Sequence, residues 1–207
     1  RAFFLGILQG ATEFLPVSSS GHLVLVPWLL GWESSGLAFD AVVHWGTAVA
    51  VIVYFWEDWV PLVGAALRSL ADIVRPDRDL VSGDVESSRA SLAWLIVLGT
   101  VPGVLVGYFL EDFFEDMFAR PATAGGFLLV TALLLTASEC LGRHERELDE
   151  LGWVDALVVG AGQALAIFPG ISRSGATIAT GLMQGIKREP AARFSFLLAT
   201  PLILGAG

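Results

Sequence analysis

Thiol chemistry is nearly absent: one cysteine, Cys140, in 207 residues leaves no partner for an intrachain disulfide and no cysteine cluster for a metal. Charge is scarce too. Asp, Glu, Lys and Arg make up 16% of the chain, against about 25% in an ordinary soluble domain. Little of it is basic: 12 Lys and Arg against 21 Asp and Glu give a formal net charge of −9, which argues against nucleic acid as a partner and hints at a high-salt source. The Gly-rich runs GTVPG and GAGQ lack the following Lys-Ser/Thr of a nucleotide loop and read as close helix packing. The sequence opens without an initiator Met or a cleavable signal.

What the chain has instead is apolar length. Residues are 55% hydrophobic, with a mean hydropathy of +0.69. Segments 39–56, 91–110 and 122–141 each have roughly the 17–25 residues that carry a helix across a bilayer core. Trp32, Trp56, Trp59 and Trp153 sit at segment ends, where amphipathic rings favour the headgroup layer. These features predict an all-α polytopic protein embedded in a lipid bilayer.

Two further apolar stretches are interrupted. Residues 2–32 carry Pro16, three serines, Glu13 and His22; residues 156–186 carry Pro169, Gly170 and Arg173. Each arm before or after the break is too short to cross comfortably, so each stretch is expected to dip in as a re-entrant hairpin. The two are copies. At an offset of 154, Ala2/Ala156, Gly6/Gly160, Gln9/Gln163, Phe14/Phe168, Ser18/Ser172, Ser20/Ser174 and Gly21/Gly175 are identical, seven of 20 ungapped positions, which predicts two related halves. One polytopic domain over 1–207 is expected, with repeat one at 1–150 and an incomplete repeat two at 151–207. A partner for 91–110 would fall near residue ~245 by that offset, so final helices of the fold are expected to lie beyond this sequence.

Basic residues concentrate in the presumed loops 57–90, 142–152 and 187–193, while 33–38 has none and 111–121 one. Positive-inside counting places the first three in the cytoplasm. The hairpins then enter from opposite faces as inverted repeats, with their broken tips meeting near the midplane.

Chemistry follows from where the copies differ. Glu13, Ser19 and His22 of the first correspond to Ile167, Arg173 and Ala176 of the second. An Arg or Glu near the bilayer centre costs about 2.5–3.5 kcal/mol on insertion scales, so such a residue is a functional candidate. Arg173, cradled by Ser172, Ser174 and Thr177, suits a phosphate because its planar fork matches two phosphate oxygens. Glu13 and His22 facing it would handle protons. A phosphate-bearing substrate held inside a membrane protein is implied.

QGATEFLPVSSSGH (9–22) and PGISRSGAT (169–177) resemble the two signature motifs of the undecaprenyl-diphosphate phosphatase (BacA/UppP) family, and the likeness runs through FSFLLATPLILGAG at the end. The resemblance implies a plasma-membrane enzyme that hydrolyses a polyprenyl diphosphate to the monophosphate and recycles the lipid carrier of cell-wall assembly. It also implies an active site opening outward and dependence on Mg²⁺ or Ca²⁺. Gln9 stands at the first motif position, leaving one motif carboxylate rather than two.

The expected roles are as follows. Arg173 clamps the diphosphate, and Ser18, Ser20, Gly21, Ser172, Ser174 and Thr177 complete the anion pocket. Ser19 is the candidate nucleophile, with direct attack by water the alternative, and His22 is the base or the leaving-group acid. Glu13 orients His22, activates water or holds the metal, and Gln9, one turn away, supports Glu13. A lipid-phosphate transporter on the same inverted repeat is the competing reading. A homo-oligomer is compatible with the sequence. His44 reads as a packed helix-contact residue, His144 as solvated, and Glu139 as snorkelling from a helix end.

Overall fold

The computed structural model describes residues 1–74, 84–110, 117 and 120–205. Among these the regular structure is helical, with no strand beyond an isolated bridge between Arg146 and Ile186. The helices are α1 (Ala2–Phe14), α2 (Ser19–Leu29), α3 (Leu37–Tyr54), α4 (Trp56–Val74), α5 (Asp84–Phe109), α6 (Pro121–Leu141), α7 (Trp153–Leu165), α8 (Arg173–Met183) and α9 (Arg188–Gly205), with a short 3₁₀ turn at Leu148–Glu150.

Among the described residues two helices are long and apolar enough to cross a bilayer: α5 over Val85–Phe109 and α6. The α3–α4 pair, bent by 84° at Phe55, makes a third if counted as one span. At a rise of about 1.5 Å per residue, α5 extends roughly 39 Å, more than a hydrocarbon core of about 30 Å. Their outer faces are apolar: Val97, Val104 and Tyr108 on α5, Leu129 and Leu133 on α6, and Val42, Val49 and Val53 on α3 are all exposed. So extensive an apolar surface suits lipid rather than water, and the chain is a membrane protein.

The expected span 91–110 falls in α5, which ends one residue earlier at Phe109, and 122–141 lies within α6, whereas 39–56 crosses the bend between α3 and α4 at Phe55. The charged loop expected at 57–90 is corrected. Its first part is α4, amphipathic and anchored by buried Leu62 and Ala65, and its last residues begin α5. Residues 75–83 and most of 111–119 lie outside the described residues.

α1–α2 and α7–α8 are helix–turn–helix hairpins of matching size, 13 and 11 residues each. Both ends of α8 fall 154 residues after those of α2. α1 stops because Pro16 forces Leu15 into an extended conformation. α7 packs along α5, where bare backbones meet: a Cβ on Gly160 would strike the Gly99 carbonyl. The main core joins Leu95, Ile96, Val159, Leu182, Phe194, Leu197 and Leu198 from α5, α7, α8 and α9. At the far end of α7, Arg146 grips Asp155 with both guanidinium arms (2.8 and 2.7 Å) and donates to the Gln184 carbonyl, closing the loop onto the hairpin. The Asp155 carboxylate pushes the Arg146 pKa above its ordinary value. Glu139, rather than snorkelling alone, pairs with Arg188.

Candidate active site

The two turns use the same local chemistry. Ser18 Oγ accepts the Gly21 N–H (3.2 Å) at the start of α2, and Ser172 Oγ accepts the Gly175 N–H (3.0 Å) at the start of α8. Both serines are N-caps, a position that favours Ser because the backbone donors of a first turn lack partners. A second serine stands beside each cap: Ser18 and Ser20 hydroxyls are 3.3 Å apart, Ser172 and Ser174 3.2 Å. One difference is conformational. Ser18 has φ +64°, the left-handed region, whereas Ser172 has φ −70°; non-glycine residues held there are often functional.

The turns are pressed together. A Cβ on Gly21 would lie 3.1 Å from Gly170 Cα, so a larger residue finds little room there. Ser174 Oγ lies 3.3 Å from the carbonyls of both Glu13 and Leu15 and donates across the gap. From α6, Thr131 Oγ1 accepts the Ser172 N–H (3.0 Å) and donates to the Gly170 carbonyl (3.1 Å), fixing the second turn.

Glu13 lies at the centre and is buried. Its Oε1 pairs with Arg173 Nη2; its Oε2 accepts from Gln9 Nε2 (2.9 Å) and from Ser19 Oγ. His44 on α3 presents Nε2 3.6 Å from the same Oε2. Arg173 Nη1 is buried without a hydrogen-bond partner among the described residues, as is Gln9 Oε1. The site thus holds one carboxylate, a guanidinium with a spare donor arm, and a serine hydroxyl aimed at the carboxylate. Two helix N-termini adjoin it, and such termini favour anions.

Of the expected residues, Glu13, Gln9, Ser19 and Arg173 converge, with the serines and Gly21 forming the turns around them. His22 is arranged differently. Its Nδ1–H donates to the Ser18 carbonyl (2.7 Å) within its own first turn, and among the described residues the imidazole beside Glu13 belongs to His44. The Thr177 hydroxyl donates to the Arg173 carbonyl (2.8 Å) and meets Ser195 Oγ (2.6 Å), tying α8 to α9. His144 is half-buried, its Nε2 3.3 Å from the Ser138 carbonyl. His44, expected as a packed helix-contact residue, carries a sequence signal of its own: an ionisable side chain inside an apolar span is a functional candidate by default.

Comparison with known proteins agrees with this picture. The family model described as bacitracin resistance protein BacA matches residues 2–207. An undecaprenyl-diphosphatase of Desulforudis audaxviator is 48% identical over 203 residues, covering 98% of this chain and 72% of that protein. Proteins of the same name from Methanosphaera stadtmanae and Pelotomaculum thermopropionicum are 46% and 44% identical over 207 residues, each covering this whole chain and 74% and 73% of the relative. A match along nearly the full sequence, with the motif residues gathered at one site, means that the chain belongs to the BacA family.

Proposed function

We propose that this protein is a membrane phosphatase that hydrolyses undecaprenyl diphosphate to the monophosphate and inorganic phosphate, recycling the lipid carrier. One observation carries the reading: a buried guanidinium with an unpartnered N–H shares a carboxylate with a serine hydroxyl between two helix N-termini. Phosphoryl transfer asks mainly for positioning and charge neutralisation, and these groups supply both.

In the mechanism we infer, the free Nη1–H of Arg173 takes an oxygen of the terminal phosphate, and the amides opening α2 and α8 take others. Ser19 Oγ attacks that phosphorus while Glu13 Oε2 receives its proton. The bond from phosphorus to the bridging oxygen breaks, and the lipid monophosphate leaves with the electron pair. Glu13 then returns its proton as water hydrolyses the phosphoserine. His22, whose Nδ1–H is held by the Ser18 carbonyl, presents Nε2 as the acceptor for a proton of the attacking water.

The resemblance implies Mg²⁺ or Ca²⁺. Among the described residues no three His, Cys, Asp or Glu side chains are grouped to hold a metal ion. The partnerless Gln9 Oε1 beside Glu13 nevertheless gives two hard oxygen donors, which fit a cation whose remaining ligands are substrate phosphates and water. Such an ion would supply further neutralisation of phosphoryl charge.

Basic-residue placement supports hairpins entering from opposite faces of the plasma membrane, with the site opening outward. With Cys140→Ser as background, Ser35→Cys is expected to react with an impermeant maleimide from outside and Gly185→Cys only after permeabilisation; the reverse pattern refutes this orientation. The function itself is tested by incubating purified protein with undecaprenyl diphosphate in detergent. Phosphate release is expected; binding without release would favour the transporter, which has no use for a Ser19–Glu13 pair.

A further inference from the structure

We infer that His44 is a positioning residue for Glu13, an inference that rests on the phosphatase reading above. The ring is held at its far edge: Nδ1–H donates to the Asp40 carbonyl at 2.6 Å. A carbonyl only accepts, so Nδ1 carries the proton and the ring's orientation is set. Nε2 is therefore turned to Glu13 Oε2, at 3.6 Å, a gap that one water bridges by donating one O–H to Nε2 and the other to the carboxylate. The helix beneath is also fixed. Thr47 Oγ1 donates to the His44 carbonyl (2.7 Å), and Ala48, one turn on, is buried against Ala199 and Ile203 of α9.

The need for such an anchor follows from the other contacts of Glu13. A substrate phosphate competes with the carboxylate for the Arg173 fork. Ser19 is the group on which Glu13 acts, and Gln9 rides on the same helix as Glu13. Among the described residues, His44 is the remaining neighbour, and it comes from a third element, α3. It keeps Oε2 directed at Ser19 Oγ when Arg173 turns to its ligand. The ring is about a quarter exposed, so it stands at the edge of the site and does not form its floor.

The test compares wild type, His44→Ala and His44→Gln by turnover of undecaprenyl diphosphate, and His44→Ala with Glu13→Gln in a double-mutant cycle on melting temperature. His44→Ala is expected to lower kcat by about 10–100-fold, the usual effect of removing an orienting partner, with KM within about threefold. His44→Gln, whose amide can replace Nε2 as the partner of the bridging water, is expected to recover most of the loss. The melting shifts of His44→Ala and Glu13→Gln are expected to be non-additive. Unchanged kcat in His44→Ala overturns the proposal, as does a rise in KM that accounts for the whole loss. So does folded His44→Gln as slow as His44→Ala. Should His44→Ala not fold, His44→Gln decides: folded and near wild-type kcat supports the role, folded and slow overturns it. If wild type releases no phosphate, the phosphatase reading fails, and the melting cycle still decides the contact: additive shifts refute it.

Discussion

The first hairpin, α1–α2, and the second, α7–α8, share lengths, serine caps and paired hydroxyls, yet they are not equivalent. α1 leaves Phe3, Phe4 and Ile7 exposed, whereas α7 buries Ala156, Val159, Gly160 and Gln163 against its neighbours. Gln9 donates to Glu13; its counterpart Gln163 is equally buried, but among the described residues neither of its amide atoms is partnered, and Ile167 stands where Glu13 would be. The duplicated framework is thus structural, and the charged and polar groups are divided: carboxylate, serine hydroxyl and imidazoles on or near the first copy, guanidinium on the second. A site that needs both signs of charge can be made by breaking the identity of two copies that already meet.

Several measurements sharpen or break that division. The largest effect is expected at Arg173. Arg173→Lys keeps the charge and loses the fork, and kcat/KM for undecaprenyl diphosphate should fall about 1,000-fold, the scale of transition-state arginines in phosphoryl transfer; near-normal turnover would remove the clamp from the account. The glutamines come next. Gln163→Leu removes an amide with no partner and should stabilise the protein by about 1 kcal/mol or more in detergent melting. Gln9→Leu should instead slow turnover about tenfold by freeing Glu13. Equal behaviour of the two would mean that the copies differ less than their contacts indicate. Gly160 and its counterpart Gly6 form a third contrast, and the smallest effect is expected at Gly6. A Cβ at Gly160 meets the Gly99 backbone, while at Gly6 nothing lies within 4 Å. Gly160→Ala should cost about 1–3 kcal/mol by overpacking, and Gly6→Ala should be neutral or stabilise by up to about 1 kcal/mol through helix propensity.

Much of this was legible in the sequence, and the reasons are specific. Apolar length marked α5 and α6, and the offset of 154 marked both hairpins, because identical serines and glycines at a broken turn solve the same capping problem twice. α4 was hidden by Glu57, Asp58 and Arg68, which read as loop charge although Leu62 and Ala65 on the same helix are buried. At the site, pairing Arg173 with Glu13 required only that two opposite charges in lipid find each other. His44 was missed because it lies outside both motifs and its counterpart at the repeat offset is Leu198, so no copy pointed to it. The engagement of Thr177 with Ser195 depends on how α9 packs on α8, which no local pattern encodes.

The central claim is that the guanidinium of one hairpin and the carboxylate of the other form a single unit. Its most direct test is a double-mutant cycle on thermal unfolding in detergent, using Glu13→Gln, Arg173→Gln and the double variant. Each single change leaves a buried charge uncompensated, so the double variant should lose less stability than the sum, with a coupling of about 1–3 kcal/mol. Additivity within about 0.5 kcal/mol would contradict the pairing.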